Sequence, residues 1–129
     1  MVLDTSALLA VLQDEPERRR FNEAIEAADQ ALLSTASFVE ASIVIEARYG
    51  AEGVRDLEIF IDRAGIELVP VDAAQARVAC RAYSRFGKGR HRAGLNFGDV
   101  FAYALASTRR ESLLCKGDDF RNTDLAVVD

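Results

Sequence analysis

One stretch of this sequence is apolar almost throughout: Asn96-Phe97-Gly98-Asp99-Val100-Phe101-Ala102-Tyr103-Ala104-Leu105-Ala106. A helix that is apolar all round is a buried helix. An ionised carboxylate in such surroundings must be paired, hydrogen-bonded or bound to a metal ion. Asn96 or Gly98 can cap the helix, and an acid near a helix N-terminus gains roughly 0.3–1 kcal/mol from the helix dipole. The pattern predicts a central buried helix and leaves a structural and a functional role open for Asp99.

The rest of the composition is that of a globular protein with its own core. The chain has 129 residues, of which 50% are hydrophobic and 29% charged. This length and composition predict one domain spanning residues 1–129. The first residues carry no basic segment, and no apolar run approaches the roughly 20 residues of a membrane span. We therefore expect a cytoplasmic protein without a membrane segment.

Charge and metal-binding residue types narrow the function. The formal net charge of −5 argues against binding nucleic acid by bulk attraction, although carboxylates gathered in one cleft could recruit phosphate through a divalent cation. Cys80 and Cys115 lie in apolar patterns and are expected to be buried free thiols. His91 is the only histidine, which makes a dedicated zinc site improbable.

Strand and helix patterns alternate on either side of the central helix. Strands are predicted at Met1–Thr5, Ala31–Thr35, Ile66–Val71, Ser112–Cys115 and Leu125–Val128. Helices are predicted at Ala7–Gln13, from Pro16 to Ala28, at Ala36–Tyr49, at Glu52–Ala64, and from the N-cap Asp72 to Gly87 with Ala76, Ala79, Cys80 and Tyr83 inward. Such alternation predicts an α/β fold in three layers, with a mainly parallel sheet covered on both faces.

Four carboxylates are placed where this topology brings chain segments together. Asp4 ends the first strand and Asp118 follows another, while Glu40 and Asp99 lie on inward faces early in helices. Glu46 lies about 120° from Glu40 around its helix and is expected to be solvated. Carboxyl ends of parallel strands meet at one sheet edge, where ligands bind. Ligation by carboxylate oxygens alone favours magnesium or manganese, and metal-assisted attack on phosphate is the chemistry implied.

A short basic segment precedes the central helix: Phe86-Gly87-Lys88-Gly89-Arg90-His91-Arg92. Two interpretations stay open for it. It is either a flexible charged connection or a loop beside the acidic cleft whose Lys88, Arg90 and Arg92 contact phosphate groups.

Several motifs together resemble the PIN-domain ribonucleases and, more narrowly, the VapC toxins of bacterial toxin-antitoxin pairs. The resemblance extends across essentially the whole chain. Its motifs are Met1-Val2-Leu3-Asp4-Thr5-Ser6-Ala7-Leu8, Glu40 in its helix, Asn96-Phe97-Gly98-Asp99 with Ala102 and Ala104, and Leu114-Cys115-Lys116-Gly117-Asp118-Asp119-Phe120.

The resemblance implies a three-layer PIN-like domain and a Mg²⁺- or Mn²⁺-dependent endoribonuclease. By that similarity Asp4, Glu40, Asp99 and Asp118 are the catalytic, metal-binding acids. Ser6 would support Asp4. Asp119 adjoins Asp118, so the register of the fourth acid stays open; we prefer Asp118, with Asp119 facing away on the turn.

The resemblance also implies a homodimer, silenced by a small antitoxin that delivers a cation to the acids. Phe21, Ile25, Phe38 and the helix from Glu52 to Ala64 are candidates for the antitoxin groove or for core or dimer packing. Two alternatives differ in class. One is a catalytically inactive PIN-like scaffold for protein binding. The other is a phosphatase with Asp4 as nucleophile, although the second Asp expected two residues later is missing.

Overall fold

Strands and helices alternate along the chain in the order that the sequence predicts. The computed structural model describes all residues, Met1–Asp129. Its elements are β1 (Val2–Leu3), α1 (Thr5–Leu12), α2 (Arg18–Ala27), β2 (Ala31–Ser34), α3 (Thr35–Arg63), β3 (Ile66–Val69), α4 (Ala73–Phe86), α5 (Asp99–Arg109), β4 (Leu113–Leu114) and a 3₁₀ turn (Asp119–Asn122). None of the helices has both the length and the apolar character that a membrane span requires.

The sheet has the strand order β3-β2-β1-β4, and every pairing between strands is parallel. Successive strand residues point to opposite faces. Val2 therefore joins a core beneath α4 and α5, whereas Leu3 joins a second core beneath α1, α2 and α3. Two cores on opposite faces of one parallel sheet make three layers, as predicted, and place all four carboxyl strand ends at one edge.

The long helix α3 consists of two halves that meet at Gly50. This glycine has φ 69° and ψ −159°, a conformation outside the helix and in the region that glycine tolerates. The predicted break between Tyr49 and Glu52 is thereby confirmed. Leu57 and Ile61 of the second half are buried, as are Phe21 and Ile25 of α2. Phe21 and Ile25 thus belong to the core and are not available as an antitoxin groove.

The predicted strand Leu125–Val128 is wrong. Only Val127 forms a bridge, parallel to Leu113, with hydrogen bonds that flank this single pair. The reason is the shortness of β4, whose two residues offer the C-terminal segment too little edge for a ladder.

The predicted inward face of α4 is also largely wrong. Gln75, Ala79, Ala82 and Phe86 are buried, whereas Ala76, Cys80 and Tyr83 are exposed. The helix is turned by its two ends: the Gln75 amide donates to the Pro70 carbonyl at 3.2 Å, and the Phe86 ring packs on His91 and Tyr103. Cys80 is consequently an exposed thiol, whereas Cys115 is buried as expected.

The central helix α5 is buried as predicted, over Val100 and Ala102–Ala106. It begins at Asp99, three residues later than the apolar stretch begins. Phe97, which precedes it, is 77% exposed. The apolar pattern thus contains two parts, a core helix and a surface aromatic residue beside its first turn.

Candidate active site at the carboxyl edge of the sheet

Asp4 lies at the end of β1 and is almost completely buried, with 4% of its surface exposed. Its backbone N–H donates to the Leu114 carbonyl at 2.9 Å, which fixes it against β4. As the N-cap of α1, its carboxylate accepts from the Ser6 N–H at 3.0 Å. Burial is the main cause that raises the pKa of Asp4 to about 6; the charges of Asp99 and Glu40 contribute to the rise, and hydrogen bonds with Ser6 oppose it. The three carboxylates therefore lie near enough to repel one another, and none of them forms a salt bridge.

Asp99 and Asn96 cap the start of α5 reciprocally. The Asn96 N–H donates to Asp99 Oδ2 at 2.9 Å, and the Asp99 N–H donates to Asn96 Oδ1 at 3.0 Å. This is the geometry of a capping box, with Asn and Asp at the two reciprocal positions. Burial raises the pKa of the Asp99 carboxyl, as do Glu40 and Asp119. The structural and functional interpretations of Asp99 are therefore compatible, because the cap uses only one carboxylate oxygen.

Glu40 rests against the backbone of Gly98. A methyl group built on Gly98 would lie 2.0 Å from Glu40 Oε2, so only glycine leaves room for this carboxylate. Glu40 is half-buried, and Ile43 on the same helix face is 62% exposed. The face of α3 that carries Glu40 was predicted to point inward. It borders a surface cleft beside α5 instead, and the Glu40 carboxylate lies at the rim of this cleft. Glu46 is exposed, as expected.

The segment after β4 brings the remaining acids to the same edge. Ser6 Oγ accepts from the Lys116 N–H at 2.9 Å, so Ser6 connects Asp4 with this segment. Asp119 lies near enough to raise the pKa of Asp99. The Asp118 side chain is 89% exposed and lies 3.8 Å from the Arg121 guanidinium. The two adjacent acids therefore differ, with Asp119 electrostatically coupled to the buried acids and Asp118 paired on the surface.

Lys116 ties the same segment to the turn between α1 and α2. Its ammonium lies 2.7 Å from Glu15 and 3.5 Å from Glu17. The hydrogen bond to Glu15 raises the pKa of Lys116. Its charge is therefore directed away from the buried acids, which appear in no salt bridge of the structure.

The donor set fits a hard divalent cation that keeps part of its water shell. No three of the His, Cys, Asp and Glu side chains are arranged to hold one metal ion directly. Mg²⁺ is usually bound through one or two carboxylates and several waters, which suits acids that are near one another but not in contact. Burial and the surrounding acids raise the pKa of the Cys115 thiol to about 12, so it is protonated in the metal-free protein.

The basic loop lies at the far end of α4. Gly87 and Leu95 pair across its base, and the Lys88 N–H donates to the Leu95 carbonyl at 2.8 Å. Its three cationic side chains are exposed: Lys88, Arg90 and Arg92. The base is ordered by these hydrogen bonds, so the loop presents its cations from a fixed support.

The chain matches a known protein family along nearly its whole length. The PIN domain family matches residues 1–125. Ribonuclease VapC30 of Mycobacterium tuberculosis is 54% identical over 128 residues, covering 99% of this chain and 98% of the relative. The chain belongs to the VapC ribonucleases of the PIN-domain family. Ribonuclease VapC of Mycolicibacterium smegmatis is 52% identical, over 99% of both chains.

Solved VapC structures share the fold. VapC20 of M. tuberculosis, described as a sarcin-ricin loop cleaving toxin, aligns with a TM-score of 0.80 at 13% identity, covering 98% of this chain and 97% of its own. VapBC2 of Rickettsia felis, solved with a DNA fragment from its promoter, aligns with a TM-score of 0.77 at 14% identity, covering 98% and 96%. The three-layer arrangement described above is therefore that of the VapC fold.

Two features of this VapC site were missed from the sequence, and a third was anticipated only in part, since Asn96 was named as a cap without its return bond to Asp99. The packing of Glu40 against Gly98 and the ion pair of Lys116 with Glu15 each join segments that are distant in sequence, and no local sequence pattern predicts them. The third feature, the reciprocal cap of Asn96 and Asp99, has a local signal: a capping residue followed three positions later by an acid.

Proposed function

We propose that this protein is a metal-dependent endoribonuclease acting as the toxin of a type II toxin-antitoxin pair, with its nuclease domain spanning residues 1–129. The observation that carries the proposal is the buried carboxylate of Asp4, which faces Asp99 and Glu40 without a cationic side chain to neutralise it. Buried charges of one sign are retained only where something compensates them. A divalent cation would supply this compensation and would in turn attract a phosphate group.

Asp4, Asp99 and Glu40 would hold the cation, which we propose to be Mg²⁺, with Mn²⁺ as the substitute. When bound, such a cation polarises a phosphoryl oxygen and lowers the pKa of the attacking water. Asp4 is oriented by the Ser6 N–H, and Asp99 by the Asn96 N–H. Glu40 is held in place by the Gly98 backbone and can accept a proton from water at the rim of the site. The reaction is hydrolysis of an RNA phosphodiester bond.

Cleavage of RNA by the purified protein tests this proposal. We expect cleavage with Mg²⁺ or Mn²⁺ and none after chelation. Asp99→Asn should abolish cleavage and leave the fold intact, because the carboxamide oxygen can still accept from Asn96. Glu46→Gln, an exposed position on the other side of α3, is the matched control and should retain activity. A folded Asp99→Asn protein with full activity would refute the site.

The fourth acid is proposed from the contrast between Asp118 and Asp119. The sequence left the register of this acid open, with a preference for Asp118 because Asp119 was expected to face away on the turn. The coupling of Asp119 to Asp99, together with the pairing of Asp118 with Arg121, supports Asp119 instead. Asp118→Asn and Asp119→Asn should therefore differ, with the larger fall in kcat/KM and in Mg²⁺ affinity for Asp119→Asn. The reverse order would restore Asp118.

A homodimer is proposed from an apolar cleft on the surface, which we call the Phe97 cleft. Phe97 stands between α3 and α4 and packs edge-on against Phe101, with ring centroids 5.1 Å apart. The cleft is lined by Ala76, Cys80 and Tyr83 on one side and by Val39 and Ile43 on the other. Exposed apolar patches of this kind mark interaction sites, and a two-fold interface would place the same patch on both copies.

Light scattering tests the dimer. Ile43→Glu should give a monomer, because the patch would then bury an unpaired charge. The control is Ile59→Glu on the second half of α3, also exposed and outside the cleft, which should leave the mass unchanged. A monomeric parent protein would refute the dimer but not the nuclease.

An antitoxin partner is proposed because a metal-charged ribonuclease threatens the RNA of the cell that makes it. Similar folds include the toxin-antitoxin complex from Klebsiella pneumoniae, with a TM-score of 0.74 at 16% identity, covering 98% of this chain and 95% of that chain. A cation delivered by the partner to Asp4 and Asp99 would pair the same carboxylates and exclude the metal. Because the substrate is cellular RNA, the place of action is the cytoplasm.

A further inference from the structure

Positive charge is strongly segregated in this acidic protein. Residues 73–98 contain six of the 16 Arg and Lys and none of the 21 Asp and Glu. The chain as a whole has a net charge of −5, so all the excess negative charge lies elsewhere. Only half of these six cations belong to the basic loop. The other half lie on α4, at positions 77, 81 and 85.

The three arginines of α4 form one row along the helix. Arg77, Arg81 and Arg85 are each four residues apart, so successive members lie about 6 Å apart along the axis and the whole row spans about 80° of the helix circumference. All three are exposed. Arg85 lies over the Phe86 ring and 3.5 Å from Asp124, so part of its charge is used within the protein. No salt bridge involves Arg77 or Arg81.

The topology directs this row toward the acids. Helix α4 starts directly after β3, at the carboxyl edge of the sheet where Asp4 lies, and ends at the basic loop. Arg77 is therefore the member of the row nearest that edge, and Arg81 and Arg85 continue toward Lys88. Tyr83, which faces the Phe97 cleft, lies about 120° from Arg77 around α4. Cys80, which also lines the cleft, lies about 60° from Arg77, so a second copy seated there would leave Arg81 and Arg85 accessible and Arg77 at its border.

We propose that Arg77 and Arg81 bind the phosphate backbone of single-stranded RNA and lead it from the basic loop to the acids. This inference rests on the ribonuclease function proposed above and adds the path of the substrate. A charged groove that follows the backbone is the usual means of holding a single strand without reading its sequence. The row also explains how an acidic protein attracts a polyanion, since the cations are gathered on one helix and its following loop.

Binding measured without cleavage tests the path. All proteins carry Asp99→Asn and are kept in EDTA, and fluorescence anisotropy follows a labelled single-stranded RNA of mixed sequence across a range of KCl concentrations. Arg77→Gln with Arg81→Gln should weaken binding and reduce the slope of log K against log salt by about 1.4, or about 0.7 for each lost phosphate contact. Arg55→Gln with Arg63→Gln on α3 removes the same charge from exposed positions and should leave the slope unchanged.

Each other outcome rejects the path. Equal changes in the two pairs would mean that only net charge matters, and an unchanged slope in the α4 pair would exclude phosphate contacts there. Absence of RNA binding by the parent protein would reject the path as well. Weakened binding of an antitoxin with unaltered RNA binding would assign the row to a protein partner. Failure of the nuclease itself is recognised separately, by cleavage that persists in Asp99→Asn.

Discussion

Replacing Gly98 by alanine should inactivate the enzyme while leaving it folded. The added Cβ would lie 2.0 Å from Glu40 Oε2, 2.6 Å from Cδ and 2.8 Å from Oε1, whereas ordinary contacts begin at 3.4 Å. The carboxylate must therefore move by about 1.4 Å. The backbone of Gly98, with φ −66° and ψ −39°, already suits alanine. A substitution compatible with its backbone stabilises by about 0.4–1 kcal/mol, which offsets part of the cost of moving a flexible side chain.

Misplacing a catalytic group by about 1 Å can cost about 100-fold in rate, or about 2.7 kcal/mol of transition-state stabilisation. We therefore expect Gly98→Ala to lower kcat/KM for RNA cleavage about 100-fold and to leave the Tm at or near that of the parent protein. A fully active Gly98→Ala protein would refute the assignment of Glu40 to the site.

A double-mutant cycle separates the contact with Glu40 from any other effect of Gly98. In Glu40→Ala the colliding carboxylate is absent, so adding Gly98→Ala should cause no further loss of the Mg²⁺-dependent rise in Tm. A second, additive loss in that background would show that Gly98 acts by another route, and the proposed packing of Glu40 against Gly98 would be wrong.

Three further predictions concern charge. In metal-free protein the raised pKa of Asp4 makes the folded state bind its proton more tightly than the unfolded state, so this group stabilises the fold at acid pH. Its contribution falls by about 3 kcal/mol as pH rises from about 4 through about 6, and subtracting denaturation curves of Asp4→Asn from those of the parent should isolate it. Changing Lys88, Arg90 and Arg92 together to alanine should raise KM and flatten its salt dependence. A KM that is unchanged across salt concentrations would show that the loop is only a connection between elements. Expression without an antitoxin should arrest growth, and Asp4→Asn or coexpression of the neighbouring small gene should relieve it; toxicity that persists in Asp4→Asn would not be nucleolytic.

The sequence predicted those parts of the fold that depend on local pattern. The alternation of strands and helices, the burial of α5 and the break at Gly50 follow from hydrophobic period and glycine chemistry. The exposed side of α4 did not follow. Alanine and cysteine occur both in cores and on apolar surfaces, so the sequence pattern predicted that Ala76, Cys80 and Tyr83 face the core. The rotation of α4 is set by Gln75 and Phe86, whose partners lie far away in sequence or in the next loop.

The residues of the candidate site also fall into those that local sequence predicts and those that depend on distant contacts. Asp4 and Asp99 could be identified because a carboxylate at the end of a buried strand or in an apolar helix must be paired, hydrogen-bonded or bound to a metal ion. Their spatial relation to Glu40 depends on its packing against Gly98, a contact between α3 and the start of α5 that sequence spacing cannot reveal. The choice between Asp118 and Asp119 depends on which way a short turn faces, and adjacent identical residues carry no signal for this.

The double use of Asp99 affects how its relatives should be interpreted. Its carboxylate caps α5 through Asn96, so a descendant that had lost nuclease activity would still be selected to keep an oxygen acceptor there, Asp or Asn, for the sake of its helix. Glu40 has no hydrogen bond or ion pair within the protein, and its burial is only partial. Retention of Asp99 is therefore weak evidence that a relative is active, whereas loss of the glutamate at position 40, together with a side chain in place of Gly98, marks an inactive one.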